Sequence, residues 1–328
     1  MKRLTIGVIV AALAYSAFWF WSAHTQKTAI EAWFQDRRSD GWASDYSEIT
    51  VKGFPNRLDT TIEAPRLGDP TTGVMWESPF LQLFRLSYNP SHLIAVAANE
   101  QTFATPEAEI GVKTSDLRAS FEISDLASWT PERIIVVAED ISLEATTGWT
   151  TRAEVAQIST ETADDLTYRA ALDVRALNAT IPGLIDAAST NSQIDRLFVD
   201  AEVELDRSIN RSSIERSRQQ PKSIALKLAE AEWNGLNLAA AGKVEVTGSG
   251  TPIGVITLKV HNWRDMLDKE RRQNRLSARA INQIELTLAL ISGLSGNPET
   301  LDLPFEFKSN GIWLGPLRMG DAPKLAIP

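Results

Sequence analysis

The chain has 328 residues, 43% of them hydrophobic and 23% charged, and its 33 Lys and Arg against 42 Asp and Glu leave a net charge of −9. That apolar fraction supports a packed core and excludes a disordered chain, while the acidic surplus would repel a polyanion, so nucleic acid is not an expected partner. Cysteine is absent, which removes disulfides, thiol catalysis, thiolate metal sites and a lipid-modified N-terminal cysteine together.

The first element decides location. After Met1-Lys2-Arg3, the 20 residues from Leu4 to Ala23 carry no charged side chain, and a helix of that length covers about 30 Å, the thickness of a bilayer core. Residues 1–3 are expected as a cytoplasmic tip, held there by the positive-inside rule, with 4–23 as a transmembrane anchor and Trp19 and Trp21 at the membrane interface. The competing reading is a cleaved signal peptide. Cleavage after Ala23 would put Trp21 where a small residue is wanted, so an uncleaved signal anchor is favoured.

Residues 24–44 are predicted as a helical linker, since Ile30, Trp33 and Phe34 share one helical stripe. From Ile49 the apolar period becomes two, the signature of strands with one buried face. Phe121 and Ile123, Ile141 and Leu143, Tyr168 to Val174, Val199 to Leu205, Ile224 to Leu228, Leu236 and Leu238, Val244 and Val246, and Ile256 to Val260 all follow it. Turn residues separate many of these runs, as in Trp233-Asn234-Gly235 and Thr247 to Pro252. Gln82 to His92 is a weak helix candidate. Trp263 to Ile281 is a stronger one, with Asn262 as N-cap, a thin apolar face of Met266, Leu267, Leu276 and Ile281, and a basic face of Lys269, Arg271, Arg272, Arg275 and Arg279. Strand periodicity is expected again at Ile284, Leu286, Leu288 and Leu290. The fold class is therefore mainly β, a β-rich α+β chain: an N-terminal transmembrane helix and then one large curved antiparallel sheet with few helices. Residues 45–328 form the β-rich domain, with a polar stretch at 208–221 as a sub-boundary or a long loop.

Sites for chemistry are not evident in the sequence. His24, His92 and His261 fall in no ligand spacing. Gly248-Ser249-Gly250 fails the dinucleotide-binding spacing and reads as a hairpin turn. Glu139-Asp140 and Asp164-Asp165 are adjacent pairs whose side chains point apart on a strand. No catalytic residue, cofactor or metal is expected, and the protein is read as a non-enzyme.

Three segments resemble an uncharacterised family of mostly alphaproteobacterial proteins, domain of unknown function 2125: Val51 to Asp59 (VKGFPNRLD), the turn Trp233 to Leu236, and the close from Leu303-Pro304-Phe305 through Leu314-Gly315-Pro316 to Ala322-Pro323. The resemblance spans nearly all of the chain after the anchor and implies an envelope location with no established activity. More loosely, an anchor followed by alternating strands is similar to AsmA-like envelope proteins, whose curved sheets hold lipid. Within the family motif, Gly53 and Pro55 suit a tight bend, Phe54 is expected in the core, Arg57 is expected beside Asp59, and Arg57 is a candidate headgroup contact.

The leading functional expectation is a single-pass inner-membrane protein of a Gram-negative cell, with the bulk of the chain periplasmic. Its apolar sheet face would bind a lipid or another hydrophobic envelope component without catalysis. Small residues at Ala170, Ala201, Ala240 and Gly242 leave room for such a ligand. The alternative is an envelope scaffold that binds a protein partner through a strand edge or through the basic helix at Arg271, Arg272 and Arg275.

Overall fold

Helix α1 runs unbroken from Lys2 to Ser39, so the apolar run and the linker stripe belong to one rod. It is followed by antiparallel strands through most of the chain, in a computed structural model that describes residues 1–180, 193–211, 213, 219–233, 236–273, 282, 285–286, 300–309 and 311–326. The chain divides into two compact units. The first comprises Met1–Ala127, Glu132–Arg152 and Thr180–Leu184, the second Ser128–Pro131, Ala153–Ala179 and Ile185–Pro328. The division falls near residues 127 and 152, upstream of the polar stretch at 208–221.

The first unit holds α1 and strands β1 (Ala43–Asp45), β2 (Glu48–Lys52), β3 (Arg57–Glu63), β4 (Arg66–Gly68), β5 (Met75–Glu77), β6 (Phe80–Leu86), β7 (Asn89–Ala97), β8 (Glu100–Ala104), β9 (Glu109–Lys113), β10 (Asp116–Asp125) and most of β11 (Thr130–Ala145). One antiparallel run pairs β2, β3, β6, β7 and β10 in that order. A second pairs β1, β4, β5, β8, β9 and β11. Both contribute to one core: Phe34 of α1, Ile49 of β2 and Ile62 of β3 are buried together, with Leu67 of β4 and Leu81 and Leu83 of β6 packed against them. The stripe expected from Ile30, Trp33 and Phe34 is thus the face by which the helix closes this core.

The helix expected at Gln82 to His92 is instead a hairpin. Leu86 pairs with Asn89 around the two-residue turn Ser87-Tyr88. Every residue of β6 is half-buried, so both strand faces tolerate apolar side chains and the period of two is blurred in the sequence.

The second unit holds most of β12 (Thr150–Thr162), then β13 (Thr167–Thr180), β14 (Gln193–Leu205), β15 (Pro221–Trp233), β16 (Leu236–Val246), β17 (Pro252–His261), helix α2 (Trp263–Gln273), β18 (Thr300–Lys308), β19 (Gly311–Leu314) and β20 (Leu317–Gly320). From β13 to β20 each strand pairs antiparallel with the next, which is the expected meander. Gly248-Ser249-Gly250 lies in the β16–β17 turn, closed by Thr247 N–H donating to Thr251 O at 3.0 Å. Helix α2 matches the first part of the predicted Trp263 to Ile281 helix; Arg275, Leu276, Arg279 and Ile281 lie outside the described residues. Trp263 and Leu267 bury its inner side against Leu301, Val260 and Leu303. Asn262 has φ of 61°, left-handed rather than the extended conformation of a usual N-cap. Of the strand expected at Ile284 to Leu290, Glu285 and Leu286 are described; both are helical and Leu286 is exposed, and the remaining positions lie outside the described residues.

Candidate functional site

Two regions gather the residues singled out in the sequence, one in each unit. In the first, α1 lies along β2, β3 and β6 through one stripe of Tyr15, Trp19, Ala23, Gln26, Ile30 and Phe34, the three-and-four spacing that keeps side chains on one helix face. Trp19 is only 4% exposed and is buried with Ala23 and Leu58 while Val51 packs alongside. Its indole N–H donates to Arg57 O at 2.8 Å. Trp19 is therefore covered by the family-motif turn, whereas Trp21 is 65% exposed. Further along, Gln26 donates to Thr60 Oγ1 at 2.5 Å and accepts from Arg85 Nη2 at 2.5 Å. Burial pushes the Arg85 guanidinium below its ordinary value.

The family motif forms the β2–β3 turn. Gly53 has φ of 107°, and a Cβ there would lie 2.9 Å from both Cβ and O of Arg57, so this position requires glycine. Phe54 precedes a cis Pro55. It does not tuck into the core; it is 50% exposed, stacked on Phe20 at 5.8 Å and edge-on to Trp19 at 5.5 Å. The core place expected for Phe54 is filled by Trp19 and Leu58. Arg57 does pair with Asp59, through Nε to Oδ1 at 2.9 Å and Nη2 to Oδ2 at 2.8 Å, with its guanidinium 5.4 Å from the Phe84 ring centroid.

In the second unit, the strand registers align apolar side chains across the meander. Ala170, Ala201, Leu226, Gly242, Ile256 and Phe305 occupy successive paired positions from β13 to β18. Beside them run Leu172, Val199, Ala229, Ala240, Leu258 and Leu303. A bulge between Leu226 and Ala229 explains a departure from the sequence pattern: the extra residue reverses the alternation, so Ala229 continues the face and Leu228 pairs with Asp200 on the other. Most of these side chains are half-buried. Ala170, Ala201, Ala240 and Gly242, singled out as small residues, all fall on this face. Gly242 also lets β17 approach, since a Cβ there would collide with Val255 O.

The opposite face is charged. Arg169 forks onto Asp200 at 3.0 and 2.7 Å, and Arg196 onto Asp173 at 3.3 and 3.1 Å. The hydrogen bond from Arg169 holds the Asp200 carboxyl below the usual carboxylate range, and the Gln220 backbone N–H does the same for Asp206. On α2, Arg271 is engaged by Asp268 at 2.6 Å and Glu285 at 2.7 Å; Arg272 is exposed. The first unit also has an open cavity of about 650 Å³ lined in part by Arg66, Glu77, Glu100, Gln101 and Lys113. Its charges pair as Arg66–Glu77 at 2.6 Å and Lys113–Glu100 at 3.6 Å, and Gln101 accepts from Trp76 Nε1 at 2.8 Å, so its lining mixes paired charges with apolar Pro65, Pro79 and Val112. His92 lies 2.9 Å from Ser120 Oγ, and His261 sits in β17 opposite Thr300.

The family model described as "Uncharacterized protein conserved in bacteria (DUF2125)" matches residues 19–323. The chain belongs to the DUF2125 family. The match begins at Trp19, the residue that joins the helix to the family-motif turn, so this helix contact lies within the DUF2125 region. No curated protein and no solved structure matches the chain, and the looser likeness to AsmA-like proteins finds no support in these comparisons. Sequence reasoning missed Tyr15, Gln26 and Phe305 as members of these surfaces. Tyr15 and Gln26 carried a signal, because they continue the Ile30–Phe34 stripe backward into the apolar run.

Proposed function

We propose that this DUF2125 protein is a single-pass inner-membrane protein whose periplasmic β-rich part binds a lipid or another hydrophobic envelope component, without covalent chemistry. The observation that carries the reading is the amphipathic meander, in which aligned rows of half-buried apolar side chains back onto a face of paired charges. Apolar area left part-exposed across several strands favours an apolar occupant by roughly 25 cal/mol per Å² covered. Small residues at Ala170 and Ala240 keep the surface low enough to admit a chain.

Retention of α1 as anchor is supported by its own packing. Removing residues up to Ala23 would take Trp19 and Ala23 out of the core and uncover Leu58. The helix is long and apolar enough to cross a membrane, and Lys2 and Arg3 orient it with its start cytoplasmic. The scaffold reading draws less support from α2, since Arg271 is already committed to Asp268 and Glu285.

The test uses the full chain, purified in mild detergent beside Ala170→Phe and Ala240→Phe variants, with native mass spectrometry and solvent extraction of bound lipid. Lipid at a fixed ratio in the parent and reduced in both variants supports the reading. Equal lipid in all three removes the sheet face as the site. A protein that co-purifies without lipid favours the scaffold.

A further inference from the structure

The apolar run of α1 and its docking stripe overlap. Contact with the first unit begins at Tyr15, whose hydroxyl donates to Pro55 O at 2.9 Å and lies 3.0 Å from Ser87 Oγ. Only Leu4 to Ala14 extends free of the unit, and at 1.5 Å per residue that stretch covers about 16 Å, roughly half a hydrocarbon core. A unit held wholly in water would leave the anchor too short.

We infer that the Gly53–Arg57 and Ser87-Tyr88 turns are seated in the lipid bilayer beside α1, so that the membrane boundary crosses the first unit near Trp19 and Lys52. The inference rests on the anchor reading above and adds a lipid-binding surface to it. Three observations carry it. Exposed aromatics collect at this level: Phe20 and Trp21 on the helix, Phe54 at 50% on one turn and Tyr88 at 71% on the other. Rings of this kind suit the zone between headgroups and acyl chains. The second is backbone satisfaction. The carbonyls of Gly53, Pro55, Asn56 and Arg57 accept from Arg57 N–H, Tyr15 Oη, Ser87 N–H and Trp19 Nε1 respectively. A turn in water can leave such groups to solvent, whereas in lipid each unmet group costs several kcal/mol. The third is charge placement. Lys52 stands opposite Asp59 at the base of the turn, with Arg57 paired to Asp59 beside it, a position from which a cationic head reaches phosphate while its stem stays apolar.

Because the chain has no cysteine, single Phe54→Cys, Tyr88→Cys, Val10→Cys and Ser39→Cys variants of the full chain can each carry one environment-sensitive fluorophore. They are reconstituted in phosphatidylethanolamine–phosphatidylglycerol vesicles with spin-labelled lipids as quenchers. The expected result is a blue shift and quenching by shallow spin labels at Phe54→Cys and Tyr88→Cys, quenching by deep labels at Val10→Cys, and neither at Ser39→Cys. If both turn positions behave like Ser39→Cys while Val10→Cys is quenched, the anchor stands and the seated turns are overturned. If Val10→Cys is also unquenched, the anchor reading fails, and this inference with it.

Discussion

The first unit and the second are built from strands of the same period, yet their apolar faces meet different fates. In the first, α1 lies across β2, β3 and β6, and Ile49, Leu58 and Ile62 are almost wholly buried beneath Trp19 and Phe34. In the second, among the described residues, α2 buries the end of the sheet at Val260, Leu301 and Leu303, and the rows through Leu226 and Leu258 are half-buried. An alternating strand supplies an apolar face; what is laid over it determines whether that face is a core or a surface able to receive something else.

The sharpest way to break this contrast is Trp19→Ala. Loss of a buried aromatic ring from the closed core is expected to cost about 3–5 kcal/mol, read by chemical denaturation of the full chain in detergent. Trp19→Phe, which keeps most of the packing and loses the hydrogen bond to Arg57 O, is expected to cost about 1 kcal/mol. An unchanged Trp19→Ala midpoint would mean that the helix does not close the first unit.

Next comes Gly242→Ala. Its Cβ has no room beside Val255 O, so the β16–β17 pairing must shift, at about 2–3 kcal/mol, with faster amide exchange in those strands as the readout. Leu226→Ala removes apolar area that is already part-exposed and is expected to cost only about 1 kcal/mol, while lowering the amount of co-extracted lipid. A cost as large as that of Trp19→Ala would show Leu226 to be core, and the two units would then be alike.

The smallest effect concerns the charged face. Asp200 and Asp206 have folded-state carboxyls held below their ordinary range, so their contribution is complete above the unfolded value, near 4, and is lost as pH falls through the folded value. The stability difference between the parent and Asp200→Asn is expected to be present at neutral pH and to vanish on acidification. A difference that grew toward acid would contradict the assignment of Arg169 as the partner.

The sequence by itself determined the mainly β class, the N-terminal helix, most of the meander and the Arg57–Asp59 pair, because these follow from local periodicity, turn chemistry and neighbours two residues apart. It misplaced Phe54 and the Gln82 to His92 segment, and it did not reveal that Trp19 is buried. Each of those depends on a partner distant in the chain: Phe20 stacking on Phe54, Arg57 O receiving the Trp19 indole, and β3 pairing with β6. The tertiary structure alone decided that half of the apolar run is docked on a domain. It likewise decided that a bulge moves Leu228 off the apolar face, since one added residue reverses every later side chain and nothing in the local sequence marks where it falls.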